Sequence, residues 1–188
     1  MLRWIAASTI GFAIAGAALH FPGSFPVGSG GTSFQPEAAV VGVVMGAVSG
    51  ALVGALLWLS IRPRASWLMV PATAAGFAVS HALGDGLPAN VDYLVIGLLA
   101  GAVMGVAQLR AFHDRPEPFG YIAGSALGLA AGLVLGLAVA DSVGLMRQSW
   151  NPTVGALQHV LVCAIAGAVW DWGTGRRIHG RMLPTTHA

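Results

Sequence analysis

Six apolar stretches, each near the length of one bilayer crossing, take up most of this 188-residue chain. They run Leu2 to Leu19, Ala38 to Ile61, Trp67 to Leu83, Val91 to Leu109, Phe119 to Ala140 and Thr153 to Trp172. A hydrocarbon core takes roughly 20 helical residues per crossing, and backbone groups in lipid must be satisfied internally. With 56% apolar and 9% charged residues, the chain has too little polar surface to solvate a soluble domain of this size. The pattern predicts an all-α polytopic membrane bundle, six transmembrane helices in a single domain over 1–188. The start, Met1 to Ala18, is read as the first span rather than a removed signal peptide.

Orientation follows from arginine, the basic residue type used throughout. Arg3, Arg62, Arg64, Arg110, Arg115, Arg176, Arg177 and Arg181 share one side if the spans alternate, and Arg147 falls on the other. The positive-inside rule then places both termini in the cytoplasm, and the short loops suit a bacterial inner membrane. Trp4, Trp58, Trp67, Trp170 and Trp172 fall near the inner interface, where tryptophan anchors helices, and Trp150 marks the outer one. Arginines placed singly or in pairs beside apolar runs do not form a nucleic-acid-binding face.

Glycine recurs every four residues along three spans: Gly42, Gly46, Gly50 and Gly54; Gly97, Gly101 and Gly105; Gly120, Gly124, Gly128, Gly132 and Gly136. Residues four apart share a helix face. Where the side chain is missing, two backbones approach closely, which is how helices associate in lipid without a hydrophobic drive. The rows also expose a repeat. Gly50, Gly54, Trp67 and Gly76 recur 51 to 52 residues on as Gly101, Gly105, Phe119 and Gly128, with Arg110 standing for Arg62. Gly167, Trp170 and Arg176 in span six, with Arg3, Trp4 and Gly11-Phe12-Ala13 in span one, supply the halves of a permuted third copy. This predicts pseudo-repeated hairpins related by an axis along the membrane normal.

These features resemble uncharacterised bacterial multi-pass proteins that repeat a glycine-row helix, a Gln and Arg near its inner end, and a Trp opening the next helix. Gln108, Arg110, Arg62 and Trp67 match, whereas Leu57 and Trp170 stand where Gln108 does. The resemblance covers most of the chain and implies architecture, with no chemistry attached.

An ionisable group kept at mid-bilayer usually marks a function. Glu37, Asp85, Asp92 and Asp141 fall at outer ends, Asp114 and Glu117 in an inner loop, and Asp171 at the inner end of span six, which reads as a set of solvated interfacial carboxylates. Span six departs from glycine: its four-residue row is Gly155, His159, Cys163, Gly167, Asp171. His159, His81 and His20 end or line spans on the outer side and are the candidate cofactor ligands, for haem or a chlorophyll-type pigment. No metal site is read from the sequence, and the lone Cys163 excludes an intrachain disulfide. Ser8, Thr9, Ser49, Thr73, Ser80 and Ser125 offer hydroxyls on small-residue faces. Pro71 is a candidate kink in span three. No triad, phosphate loop or zinc-protease motif is present, so no enzymatic role is read.

The leading expectation is therefore a non-catalytic membrane subunit packed among other membrane subunits in the lipid bilayer. The alternative is a small-solute carrier, similar in helix number to the substrate-binding component of energy-coupling-factor transporters, with the region of His20, His81, Asp85 and His159 holding the ligand. Phe21, Phe25 and Phe34 in the first outer segment would cover the bundle or meet a partner.

Overall fold

A computed structural model describes residues 2–18, 36–87, 92–114, 116–146 and 151–179. Within them the chain forms six helices: α1 (Leu2–Ala18), α2 (Pro36–Ile61), α3 (Met69–Gly86), α4 (Tyr93–Gln108), α5 (Pro118–Ser142) and α6 (Pro152–His179). Three of them are long and apolar enough to cross a membrane, over Pro36–Ile61, Pro118–Ser142 and Thr153–Gly175. α1 and α4 are shorter apolar helices. His20, the phenylalanines of the first outer segment, Arg115, Arg147, Trp150 and Arg181 lie outside the described residues.

Polar residues at the boundaries set the helix ends. The Asp92 carboxylate accepts from Leu94 N–H at 2.9 Å, and Glu117 accepts from the Phe119 and Gly120 amides just after Pro118 has entered the first turn of α5. Asn151 Oδ1 accepts from Thr153 N–H at 3.0 Å to open α6. α5 ends in a Schellman motif: Leu145 N–H reaches Ala140 O and Gly144 N–H reaches Asp141 O, both at 2.9 Å. Gly144 closes it at φ +78°, where a side chain would be strained.

Pro71 does not kink α3. The helix begins at Met69, so the proline sits in the first turn, where no amide partner is needed. Pro71→Ala is accordingly expected to change stability by no more than about 0.5 kcal/mol, the range of an ordinary surface substitution, as read by thermal unfolding in detergent.

Each helix packs on its neighbours in chain order, and α6 packs on α1, which closes the six into a ring. Successive helices run antiparallel, as shown by Gly42 against His81 and Gly54 against Val70, Gly97 against Ala130 and Gly105 against Ile122, and Gly16 against His159 with Ser8 against Asp171. Arg3, Arg62, Arg64 and Arg110 therefore share one end of the bundle with the C-terminus of α6. At that end the two loops following α2 and α4 pair: Ser66 N–H donates to Ala111 O at 2.7 Å and His113 N–H to Arg64 O at 2.9 Å.

The glycine rows are spent inside this ring. A Cβ at Gly42 would lie 2.6 Å from His81 O, at Gly97 2.5 Å from Ala130 Cα, at Gly132 2.6 Å from Ala166 Cα and at Gly136 2.9 Å from Val162 Cα. In the closing pair the arrangement is reversed. α6 carries His159 and Cys163 in its row, and α1 answers with Gly16, whose Cβ would meet His159 O at 2.6 Å.

Candidate functional site

The ring encloses an axis that the repeat fills in layers. Trp4, Ser8, Gly11 and Phe12 on α1 have the spacing of Met69, Thr73, Gly76 and Phe77 on α3 and of Tyr121, Ser125, Gly128 and Leu129 on α5. Of these, the non-glycine residues are all buried, none more than 7% exposed. Between them α2, α4 and α6 insert Leu57, Gln108 and Trp170, all at 0% exposure. Phe12 and Phe77 meet edge to face at 4.8 Å. They come from helices that are not ring neighbours, so this contact crosses the axis.

The hydroxyl layer is polar because each position must be satisfied away from water. Gln108 Nε2 donates to Thr73 Oγ1 at 2.9 Å, and Tyr121 donates its hydroxyl to Gln108 Oε1 at 2.7 Å. Thr73 in turn donates to Met69 O at 2.8 Å. Trp170 Nε1 donates to Ser125 Oγ at 2.8 Å. In both cases a donor on one hairpin closes onto a hydroxyl of the preceding hairpin.

The third junction is built differently. Leu57 stands where Gln108 and Trp170 stand and has no donor to give to Ser8. Instead Ser8 donates to Asp171 Oδ2, on the residue after Trp170. Asp171 is 0% exposed. Its Oδ1 has no hydrogen-bond partner, and neither has Nε1 of Trp4, itself 1% exposed.

At the opposite end from the arginines, His81 on α3 and Asp85 near the end of the same helix each interact electrostatically with His159 on α6. α3 and α6 are not neighbours in the ring, so this interaction reaches across its axis, while Asp85 Oδ2 itself lies against Gly42 of α2. His159 Nδ1 lies 2.8 Å from Gly155 O on its own helix, and Phe77 packs beneath His81 with ring centroids 6.4 Å apart. Among the described residues no three His, Cys, Asp or Glu side chains gather closely enough to hold a metal ion.

Of the three histidines singled out from sequence, His81 and His159 lie at the same end of the bundle and interact electrostatically, and His20 lies outside the described residues. Two expectations are corrected. Asp171 is no interfacial solvated carboxylate but is fully enclosed by α1, α5 and α6. Trp4 and Trp170 are not interfacial anchors: they pack together in the core, with ring centroids 5.8 Å apart and planes tilted by 35°. Trp67 and Trp172 are exposed at the arginine end, at 65% and 55%, and Arg62 lies over the Trp58 ring at 5.4 Å. The hints were in the sequence: Asp171 closes the small-residue row of α6, which faces a neighbouring helix, and Trp170 occupies the place of the buried Gln108.

No family model, curated protein or solved structure matches this chain.

Proposed function

We propose that the protein is a six-span integral protein of a bacterial inner membrane, with the arginine end in the cytoplasm, that binds a small polar solute at its outer mouth without transforming it. The observation that supports this reading is the electrostatic interaction of His81 and Asp85 on α3 with His159 on α6, at the end of the ring away from the arginines. Two imidazoles and a carboxylate offer both donors and acceptors, and the aromatic layer of Phe12 and Phe77 floors the mouth with apolar surface, the mixture small-solute sites use. The outward faces support the membrane assignment. Val40, Val44, Val48, Leu99, Val106, Leu127, Leu135 and Leu157 are exposed, and such surfaces suit lipid tails. Leu2, Trp67 and Phe119 hold corresponding places at the arginine end and are 84%, 65% and 81% exposed, forming an interfacial belt beside the arginines.

Because the glycine faces are used between the six helices, they are not available to dock another subunit. The reading of a non-catalytic subunit in a larger assembly rests instead on that exposed belt, which a cytoplasmic-side partner would cover. One experiment separates the two. Purified from native membranes and screened against a broad panel of small solutes and metal ions, the protein is expected to gain thermal stability with one class. The gain is about 2.7 kcal/mol at a hundredfold excess over Kd, and is lost in His81→Ala and His159→Ala. A flat response across the panel together with a stoichiometric co-purifying membrane protein would establish the subunit reading in its place.

A further inference from the structure

The three hairpins solve the same problem at the hydroxyl layer, and where the third departs from the other two it leaves a matched pair of unsatisfied groups. Gln108 and Trp170 close their junctions with a neutral donor. At the α1–α6 junction the corresponding donor is missing because Leu57 is apolar, and a carboxyl has been brought in. Asp171 and Gly175 are one turn apart on α6 and face Ser8 and Trp4, one turn apart on α1. Ser8 donates to Asp171 Oδ2, and Trp4 Nε1 lies 3.7 Å from the place a Cβ on Gly175 would occupy. The unpartnered Oδ1 of Asp171 and the unpartnered Nε1 of Trp4 therefore belong to one seam.

An acceptor and a donor, both buried and both unpaired, fit a ligand that accepts from the indole and donates to the carboxyl. A metal cation does not, since it leaves the indole N–H unsatisfied. A water molecule does, and its oxygen can also take up a proton from the carboxyl. We propose that the α1–α6 seam is a proton-exchange site, in which Asp171 takes up and releases a proton through a water molecule held by the indole of Trp4. On release the carboxyl O–H bond breaks, the electron pair stays on Oδ1 and the proton passes to the water oxygen; uptake is the reverse. Trp4 is in the first turn of α1, next to exposed Arg3 and Leu2, so the relay opens toward the arginine end.

The groups around the carboxyl suit exchange rather than a fixed ion pair. Arg3, Arg62, Arg64 and Arg110 have exposed side chains. From α5, Tyr121 is the titratable group that senses Asp171, and its hydroxyl is engaged with Gln108. α1 offers Arg3 at its end. On α6 itself, Cys163 and His159 lie more than two turns away toward the mouth, and Arg176 and Arg177 follow five and six residues after Asp171, with side chains outside the described residues.

The test is infrared difference spectroscopy of the full chain in lipid nanodiscs, recorded between neutral and alkaline pH, where solvated carboxyls are already ionised, in H2O and D2O. Expected is a protonated-carboxyl C=O band, with the intensity of one carboxyl among the seven Asp and Glu of the chain. It should fade as pH rises and shift in D2O. It should be absent in Asp171→Asn, in which the amide oxygen still accepts from Ser8. Trp4→Phe, which keeps the ring packing, should retain the band at a displaced frequency, and it decides the matter should Asp171→Asn fail to fold. A wild-type spectrum with no exchangeable carboxyl band, a band that survives in Asp171→Asn, or one unmoved in Trp4→Phe overturns the proposal.

Discussion

Gly132→Leu is expected to destabilise the bundle by about 3 kcal/mol, the upper part of the range for overpacking a filled interior. At Gly132 even the first added carbon would lie 2.6 Å from Ala166 Cα and 2.9 Å from its carbonyl oxygen. Both are backbone atoms, so no rotamer change relieves the clash and α5 and α6 must move apart. Separation strips the neighbouring contacts of Gly128 and Gly136 with Trp170 and Val162 as well. In lipid this loss is not offset by a hydrophobic drive, since the parted faces meet acyl chains as apolar as themselves. The control is Gly84→Ala. A Cβ at Gly84 meets nothing within 4 Å, and alanine in a helix is favoured over glycine by roughly 0.5–1 kcal/mol. Unfolding by denaturing detergent should therefore move in opposite directions for the two variants, and a similar response from both would refute the close packing of α5 on α6.

Gln108→Leu is expected to cost about 1–3 kcal/mol, because it strands the buried Tyr121 hydroxyl. Thr73 is less affected, since its hydroxyl still has Met69 O. The repeat supplies the rescue. In the first hairpin the corresponding pair is Leu57 and Met69, both fully buried without polar atoms to satisfy. The double variant Gln108→Leu/Tyr121→Met reproduces that pair and should recover most of the loss, giving a coupling energy of the same size in a double-mutant cycle. Additive losses would show that the bond between Gln108 and Tyr121 does not hold this layer together.

The helices, their approximate limits and the glycine contacts were readable because each depends on local pattern: apolar length, a four-residue period, and capping residues such as Asp92 and Glu117. The third hairpin was readable only through the repeat, since α1 and α6 are distant in sequence. What could not be read was direction around the helix near a span end. The interfacial preference of tryptophan is a statement about depth and says nothing of direction; Trp67 and Trp172 point outward. Trp4 and Trp170 lie near the same end and point to the axis. Asp171 was misplaced for the same reason. The histidine pair was half legible: His81 and His159 were marked by type and by sharing one end, but that they sense each other across the axis depends on closure of all six helices into a ring.

That closure also has a history within each molecule. Of the six helices α1 is made before the others, and α6, against which it sets Ser8 and Gly16, is made after them. Until then the face of α1 that carries Ser8 and Gly16 lacks its partner, and α1 is held by α2 and by the contact of Phe12 with Phe77. Completion of the ring therefore waits for α6, and a chain interrupted before it leaves Ser8 and the Gly16 face of α1 without the helix that covers them.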